Sequence, residues 1–462
     1  MRGVKPLPTS PQGWYIYCMS VFKTYDIRGV YGNELNEKFG YRLGRALARY
    51  MPAKTFLVGY DARLHSPALY KAVASGVLDE GKKAEGIGLV STPQLHYTQI
   101  HRGKDAGIMV TASHNPKEYH GFKVFDSEGG SMSYDKGLKN VEAIVEGIPA
   151  PDRLVPRKFP EFESLEEYTE FVAGAARGEK MKARVVIDAS NGSGGKVFRR
   201  LADRLGIDAT VLNPDPDGNF PKHDPNPLKE ESKKELSAAV RSASADFGVV
   251  LDGDGDRILF VDENGRGIEN YFLCCLVAEE LLSEKPGSAI VYDLISSRVL
   301  PERIAEAGGK PVVSRVGYTF LYDQMVAEKA LFGGETSGHV YFKVTDRYYT
   351  ESAAYALVLV LRLLARRGAK LSALVDPLRT RYFQSPEINV EVKDKQAAME
   401  RVRARYAAGK MNTLDGISVE FDDFWFNLRP SNTEPLLRLR LEARSRETAA
   451  AKSEEIKSII LE

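Results

Sequence analysis

Three short apolar runs in this chain end alike, and that repetition limits the folds open to it more than any other feature. FLVGYD (56–61), RVVIDAS (184–190) and AIVYDLIS (289–296) each reach an aspartate and then a polar turn. Helical and strand-like patterns follow, and then a second apolar run that opens into a loop. Those runs are GIMVTASHNP (107–116), FGVVLDGDGDR (247–257) and ALFGGETSGH (330–339). Short β-branched runs bounded by turn formers predict strands, and strands alternating with helices predict α/β units. Three α/β units of related plan is the economical organisation.

Breakers set the boundaries. PAPDRLVPRKFP (149–160) is proline-rich and charged, a linker after the first unit. NPDPDGNFPKHDPNP (213–227) lies inside the second unit and is too rigid for a flexible linker. Beyond residue 379 the pattern becomes a smaller α+β piece, with strands SPEINVEV and LLRLRLEA and a closing helix over 446–461. The expected division is 19–155, 156–267 and 268–376 for the α/β domains and 377–462 for the α+β domain. Residues 1–18 lack the continuous apolar core of a secretory signal and read as a dispensable extension ahead of Met19.

Bulk charge excludes little but points nowhere else. Lys plus Arg number 64 against 63 Asp plus Glu, so neither a nucleic acid nor a membrane surface is an expected partner. Cys18, Cys274 and Cys275 fit neither a zinc site nor a disulfide framework, which makes a reducing, cytoplasmic setting the default. No stretch approaches the roughly 18 apolar residues of a membrane span. The best, 353–361, is cut off by Arg362 and reads as a buried helix.

The chemistry sits in the loops. LDGDGDRILFVDENG presents Asp252, Asp254 and Asp256 at alternate positions, and three converging carboxylates suit a hard dication such as Mg²⁺. With Glu263 they match four EF-hand ligand positions, but Arg257 stands where that loop needs glycine and ILFV behind it is strand-like. The EF-hand is rejected. RPSNTEP (429–435) offers a guanidinium, hydroxyls and an amide to a phosphate, although an Asx-type turn explains it as well. In GGETSGH (333–339), Glu335 and Ser337 could hold sugar hydroxyls, against a plain glycine turn. Tyr25 and Arg28 lie in YDIRG, and GYDAR (59–63) has the same status of an arginine on a turn. His65, His96, His101, His120 and His223 show no catalytic or metal spacing and read as surface or packing residues. Ser113 and His114 adjoin, yet sequence neighbours direct their side chains apart, so adjacency does not make the histidine its base. No G-x-S-x-G surrounds Ser113 either, which disfavours a serine hydrolase.

Together, a hydroxyl nucleophile, a dication cradle with an arginine, a polyol loop and a phosphate clamp are what phosphoryl transfer on a sugar phosphate requires. TASHNP, DGDGDR, GETSGH and RPSNTEP, in this order, resemble the motifs of the α-D-phosphohexomutase superfamily, and the resemblance spans 19–462. It implies three related mixed-sheet α/β domains plus a smaller α+β C-terminal domain around a central cleft. Ser113 is then the phosphoserine, and it shares Mg²⁺ with Asp252, Asp254 and Asp256. Arg28, Lys123, Arg257 and His339 match the catalytic surroundings, with Lys123 a candidate general acid/base. Tyr25, Glu335, Ser337, Arg429, Ser431, Asn432 and Thr433 match the substrate contacts.

YDIRG, GFK and DGNFPKHDPNP resemble the phosphomannomutase/phosphoglucomutase branch, which implies interconversion of hexose 1- and 6-phosphates with a hexose 1,6-bisphosphate activator. Thr336 typifies neither this branch nor the phosphoglucosamine mutases. Ile295 stands where dual-specificity members carry a lysine, so the sugar is left open. Glucosamine phosphate mutation, a metal-dependent sugar phosphatase and a catalytically idle sugar-phosphate binder are the alternatives. The expected partners are small sugar phosphates, and the oligomeric state, monomer or dimer, stays open.

Overall fold

The structure is a computed structural model that describes residues 20–431 and 435–462. In the first unit five strands lie in the order Ile27–Val30, Tyr119–Phe125, Ala106–Val110, Thr55–Tyr60, Lys83–Leu89. Thr55–Tyr60 pairs in parallel with both Lys83–Leu89 and Ala106–Val110, whereas Tyr119–Phe125 returns antiparallel to Ala106–Val110. The second unit repeats the plan: Arg184–Asp188 is parallel to Asp208–Leu212 and Phe247–Leu251, and Ile258–Asp262 returns antiparallel. So does the third, where Ala289–Asp293 is parallel to Lys310–Ser314 and Phe332–Gly334, and Val340–Lys343 returns antiparallel.

Topology explains why the chemical loops recur. Parallel neighbours need a long crossover, but antiparallel neighbours can be joined by a short loop. In each unit a short loop links the last parallel strand to its antiparallel return. Those loops are 111–118, 252–257 and 335–339, the polar loops of the sequence. The three repeated aspartates have a common task at the C-terminal end of the neighbouring parallel strand. Asp61 accepts from the Arg63 N–H (3.1 Å), Asp188 from the Ser190 N–H (2.9 Å) and Asp293 from the Ser296 hydroxyl (2.6 Å). Each carboxylate closes the turn that follows its strand.

The fourth unit is an antiparallel sheet of Phe383–Gln384, Ile388–Glu391, Leu436–Ala443, Phe424–Pro430, Ile417–Glu420 and Lys410–Asn412. Its strand Leu436–Ala443 alternates Leu437, Leu439 and Leu441 inward with Arg438 and Arg440 outward. The helix Arg446–Leu461 packs beside it, started by Ser445, whose hydroxyl accepts from the Thr448 N–H.

One core joins the second and third units. The helices Asn270–Glu284 and Ala353–Arg367 are apolar nearly all round and lie among Val185, Phe198, Phe247 and Phe332. Each fully buried Leu or Phe there stabilises by about 1.5–3 kcal/mol. Arg362 ends the apolar run but not the helix. The helix continues to Arg367 and stops at Gly368, whose φ of 59° is left-handed. Arg362 stays inside because it is paired: 1% exposed, it donates to Glu280 Oε1 at 3.1 Å and to the Ala175 carbonyl at 3.2 Å. No helix among the described residues is long and apolar enough to cross a membrane.

Candidate active site

The loop 111–118 turns sharply at Ser113, which has a φ of 50°. The Ser113 N–H donates to Thr111 Oγ1 at 2.8 Å, and its fully buried hydroxyl donates to Asp252 Oδ2 at 2.7 Å. The left-handed turn also corrects one expectation. Ser113 Oγ and His114 Nδ1 do not diverge but lie 3.3 Å apart, a longer contact than that to Asp252. Burial, then Arg257 and Arg28, hold His114 well below the usual imidazole range, so its ring is neutral.

Asp252, Asp254 and Asp256 are all completely buried, with oxygens within 4.8 Å of one another. Asp252 Oδ1 accepts from the Asp256 and Arg257 N–H groups, both at 3.1 Å, which curls the loop around that carboxylate. Lys123, from the strand Tyr119–Phe125, donates to Asp254 Oδ2 at 2.8 Å and contacts Asp256 Oδ2. Burial, then Asp256 and Asp254, push the Asp252 carboxyl well above the usual range. At Asp254 burial acts the same way, but Lys123 and the Thr92 hydroxyl overcome it and pull the pKa below the ordinary value. Burial opposes the Lys123 ammonium, yet Asp254 and Asp256 hold it charged, well above the usual lysine range. Asp254 Oδ1 and Asp256 Oδ1 are buried with no hydrogen-bond partner. Buried carboxylate oxygens without partners are costly unless a cation meets them, so the donor set fits a hard dication.

Around this centre, Arg28 donates to the Ala112 carbonyl at 3.0 Å and to Asn115 Oδ1, and is held from behind by Asp26. His339 pairs with Arg257 across an isolated antiparallel bridge. Its Nδ1 contacts Glu351 and lies 3.7 Å from Asp256 Oδ1. Burial, then Arg257, lower the His339 pKa to about 4. The Tyr318 ring stacks on His339 at 5.5 Å and faces the Lys123 ammonium at 5.5 Å.

Glu335 and Ser337 sit one turn away. Glu335 Oε1 accepts from the Gly317 N–H at 2.6 Å and Oε2 from the Ser337 hydroxyl at 2.8 Å. Ser337, Tyr25, Arg429 and Ser431 line a neighbouring cleft of about 910 Å³, together with Ile295, Thr336, Arg315 and Arg440. Arg429 is fixed by Glu387 at 2.9 Å. Asn432 and Thr433 lie outside the described residues.

The structure thus gathers Ser113, Lys123, the three aspartates, Arg257 and His339 into one buried cluster, with the half-buried Arg28 at its edge. Tyr25, Ser337, Arg429 and Ser431 line the adjoining cleft. Sequence reasoning missed Thr92, whose hydroxyl donates to Asp254 at 2.6 Å, and also Glu351 and Tyr318. Each is a single polar side chain from a separate element, with no spacing to betray it.

Models of the phosphoglucomutase/phosphomannomutase α/β/α domains I, II and III match residues 19–151, 166–265 and 269–382. The model of that family's C-terminal domain matches 387–458. A phosphomannomutase of Methanocaldococcus jannaschii is 39% identical, over 96% of this chain and 98% of its own. One of Escherichia coli is 36% identical, over 96% and 99%. A solved phosphoglucomutase/phosphomannomutase family protein from Burkholderia thailandensis superposes with a TM-score of 0.85 at 32% identity, covering 96% and 97% of the two chains.

Proposed function

Because this chain belongs to the phosphoglucomutase/phosphomannomutase family, we propose that it interconverts hexose 1- and 6-phosphates, of mannose or glucose, through a phosphoryl group carried on Ser113. Membership makes it an intramolecular phosphotransferase acting on small sugar phosphates. The observation that supports the rest is the 2.7 Å contact of the buried Ser113 hydroxyl with Asp252, beside Lys123.

Phosphorylated Ser113 gives its group to the free hydroxyl of the bound hexose phosphate, and a 1,6-bisphosphate forms while Ser113 regains its hydroxyl. After that bisphosphate reverses in the cleft, the other phosphate passes to Ser113 and the isomeric monophosphate leaves. Arg28 and Arg257 flank the serine and meet the phosphoryl oxygens as fixed cations. Lys123 and His339, both beside the aspartates, are the groups placed to move the attacking hydroxyl's proton. Glu335 and Ser337 orient the ring hydroxyls. Arg429, Ser431, Asn432 and Thr433 hold the phosphate that is not reacting, whichever end of the sugar carries it. Asp252, Asp254 and Asp256 with the Ser113 oxygen are the residues that would hold Mg²⁺, which supplies neutralising charge for phosphoryl transfer.

The test is a mutase assay with Mg²⁺ and a trace of glucose 1,6-bisphosphate, offering mannose, glucose and glucosamine 1-phosphates in parallel. The 6-phosphate should form from the first two without free phosphate, and Ser113→Ala should form none. Dominant glucosamine turnover, or full turnover by Ser113→Ala, would overturn the sugar assignment or the phosphoserine respectively.

A further inference from the structure

We infer that Arg63 is a positioning residue: its buried guanidinium shapes the backbone that presents Ser113, and Phe220 of the next unit seats it. Arg63 has a side chain with no exposure. Nη1 donates to the carbonyls of Pro116 (2.7 Å) and Tyr119 (2.9 Å), and Nη2 to those of Ser113 (2.7 Å) and Asn115 (2.6 Å). Nε donates to Asp61 at 3.2 Å. All five N–H directions of the fork are therefore used, three of them on the loop 111–118 and a fourth on Tyr119, where the next strand begins. A non-glycine residue at a φ of 50° persists only where its surroundings over-determine it, and Arg63 joins Thr111 and Asp252 in doing so for Ser113.

The second unit completes the joint. The Phe220 ring lies 5.3 Å from the guanidinium carbon. A Cβ on Gly218 would come within 2.4 Å of the Leu64 nitrogen, so the DGNF turn rests directly on the Arg63 turn. A Cβ on Gly253 would come within 2.7 Å of the Ser113 carbonyl, which Arg63 also holds. The GYDAR turn and the rigid proline-rich segment thus form one device. It registers the Ser113 loop of one unit against the aspartate loop of the other. Lysine cannot replace it, since an ammonium has three donors and no planar fork.

This inference rests on Ser113 as the phosphoryl carrier, so the experiment compares Arg63→Lys and Phe220→Leu with Ser113→Ala in the full chain. For each variant, melting temperature, kcat and KM for a hexose 1-phosphate, and labelling of Ser113 by ³²P-labelled glucose 1,6-bisphosphate are measured. Arg63→Lys should lose about 100-fold in kcat with KM nearly unchanged, the effect of a misplaced reacting group. Labelling should slow in parallel, and Phe220→Leu should show the same kcat-only pattern more weakly. Wild-type kcat per folded molecule with only a lowered melting temperature, or a raised KM at constant kcat, would overturn it. If Arg63→Lys does not fold, Phe220→Leu decides alone by the same criteria. Full turnover by Ser113→Ala would sink the phosphoserine instead, a different result from wild-type kcat in Arg63→Lys with Ser113→Ala inactive.

Discussion

The hydroxyl of Ser113 donates to Oδ2 of Asp252, 139 residues further along the chain, at 2.7 Å. Two α/β units therefore meet at a serine hydroxyl and a carboxylate, and neither unit contains the pair. Asp252 is pushed up by burial and by its two aspartate neighbours, so a cation at this point relieves a strain built into the fold.

Chelation should consequently abolish turnover and added Mg²⁺ should restore it. A readout independent of activity is the melting temperature. Saturating Mg²⁺ at 100 times its dissociation constant stabilises by about 2.7 kcal/mol, a rise of a few degrees. Asp254→Asn should lose most of that rise, and a full Mg²⁺ shift in this variant would contradict the assignment of the aspartate loop.

Stability should fall on the acid side in a defined window. Burial lowers His96 to about 4 and His120 to about 3. In the unfolded chain both titrate near about 6.5, so below that pH the unfolded state binds protons that the folded state refuses. Their contribution is fully present above about pH 6.5 and is lost as pH falls toward 4, by up to about 1.4 kcal/mol per unit for each. The raised carboxyls of Asp252, Glu335 and Glu351 act in the opposite sense, so the wild type alone is ambiguous. The informative quantity is the difference from His96→Gln, which keeps a donor for the Gly129 carbonyl. Urea midpoints of wild type and variant should converge as pH drops from 7 to 4.5.

Arg362→Met should destabilise by about 3 kcal/mol, because Glu280 is left buried with less compensation. The figure sits at the lower end of that range since Arg366 still reaches Glu280 at 2.9 Å. Chemical denaturation measures it. A loss below about 1 kcal/mol would mean that the pair adds no more than an exposed one.

Arg429→Gln should act on binding more than on chemistry. The guanidinium lines the cleft and is held by Glu387, away from the Ser113 cluster. Losing a charge-assisted contact to phosphate is worth about 1.5–3 kcal/mol, so KM should rise about 10- to 150-fold. A kcat loss without a KM change would place Arg429 elsewhere in the reaction.

Much of this protein was legible in one dimension. A strand run ending in aspartate, repeated at 61, 188 and 293, reports a βα turn, because a carboxylate capping the next turn needs only local geometry. The polar loops were legible for the same reason, since a short loop between antiparallel neighbours keeps its residues contiguous. Tertiary structure alone decided what completes them. Thr92, Tyr318 and Glu351 reach the centre singly from separate elements, and Arg63 acts through backbone carbonyls, which carry no side-chain signature. Arg362 showed the same limit from the other direction: an arginine inside an apolar helix stays buried only through a partner, Glu280, that packing supplies.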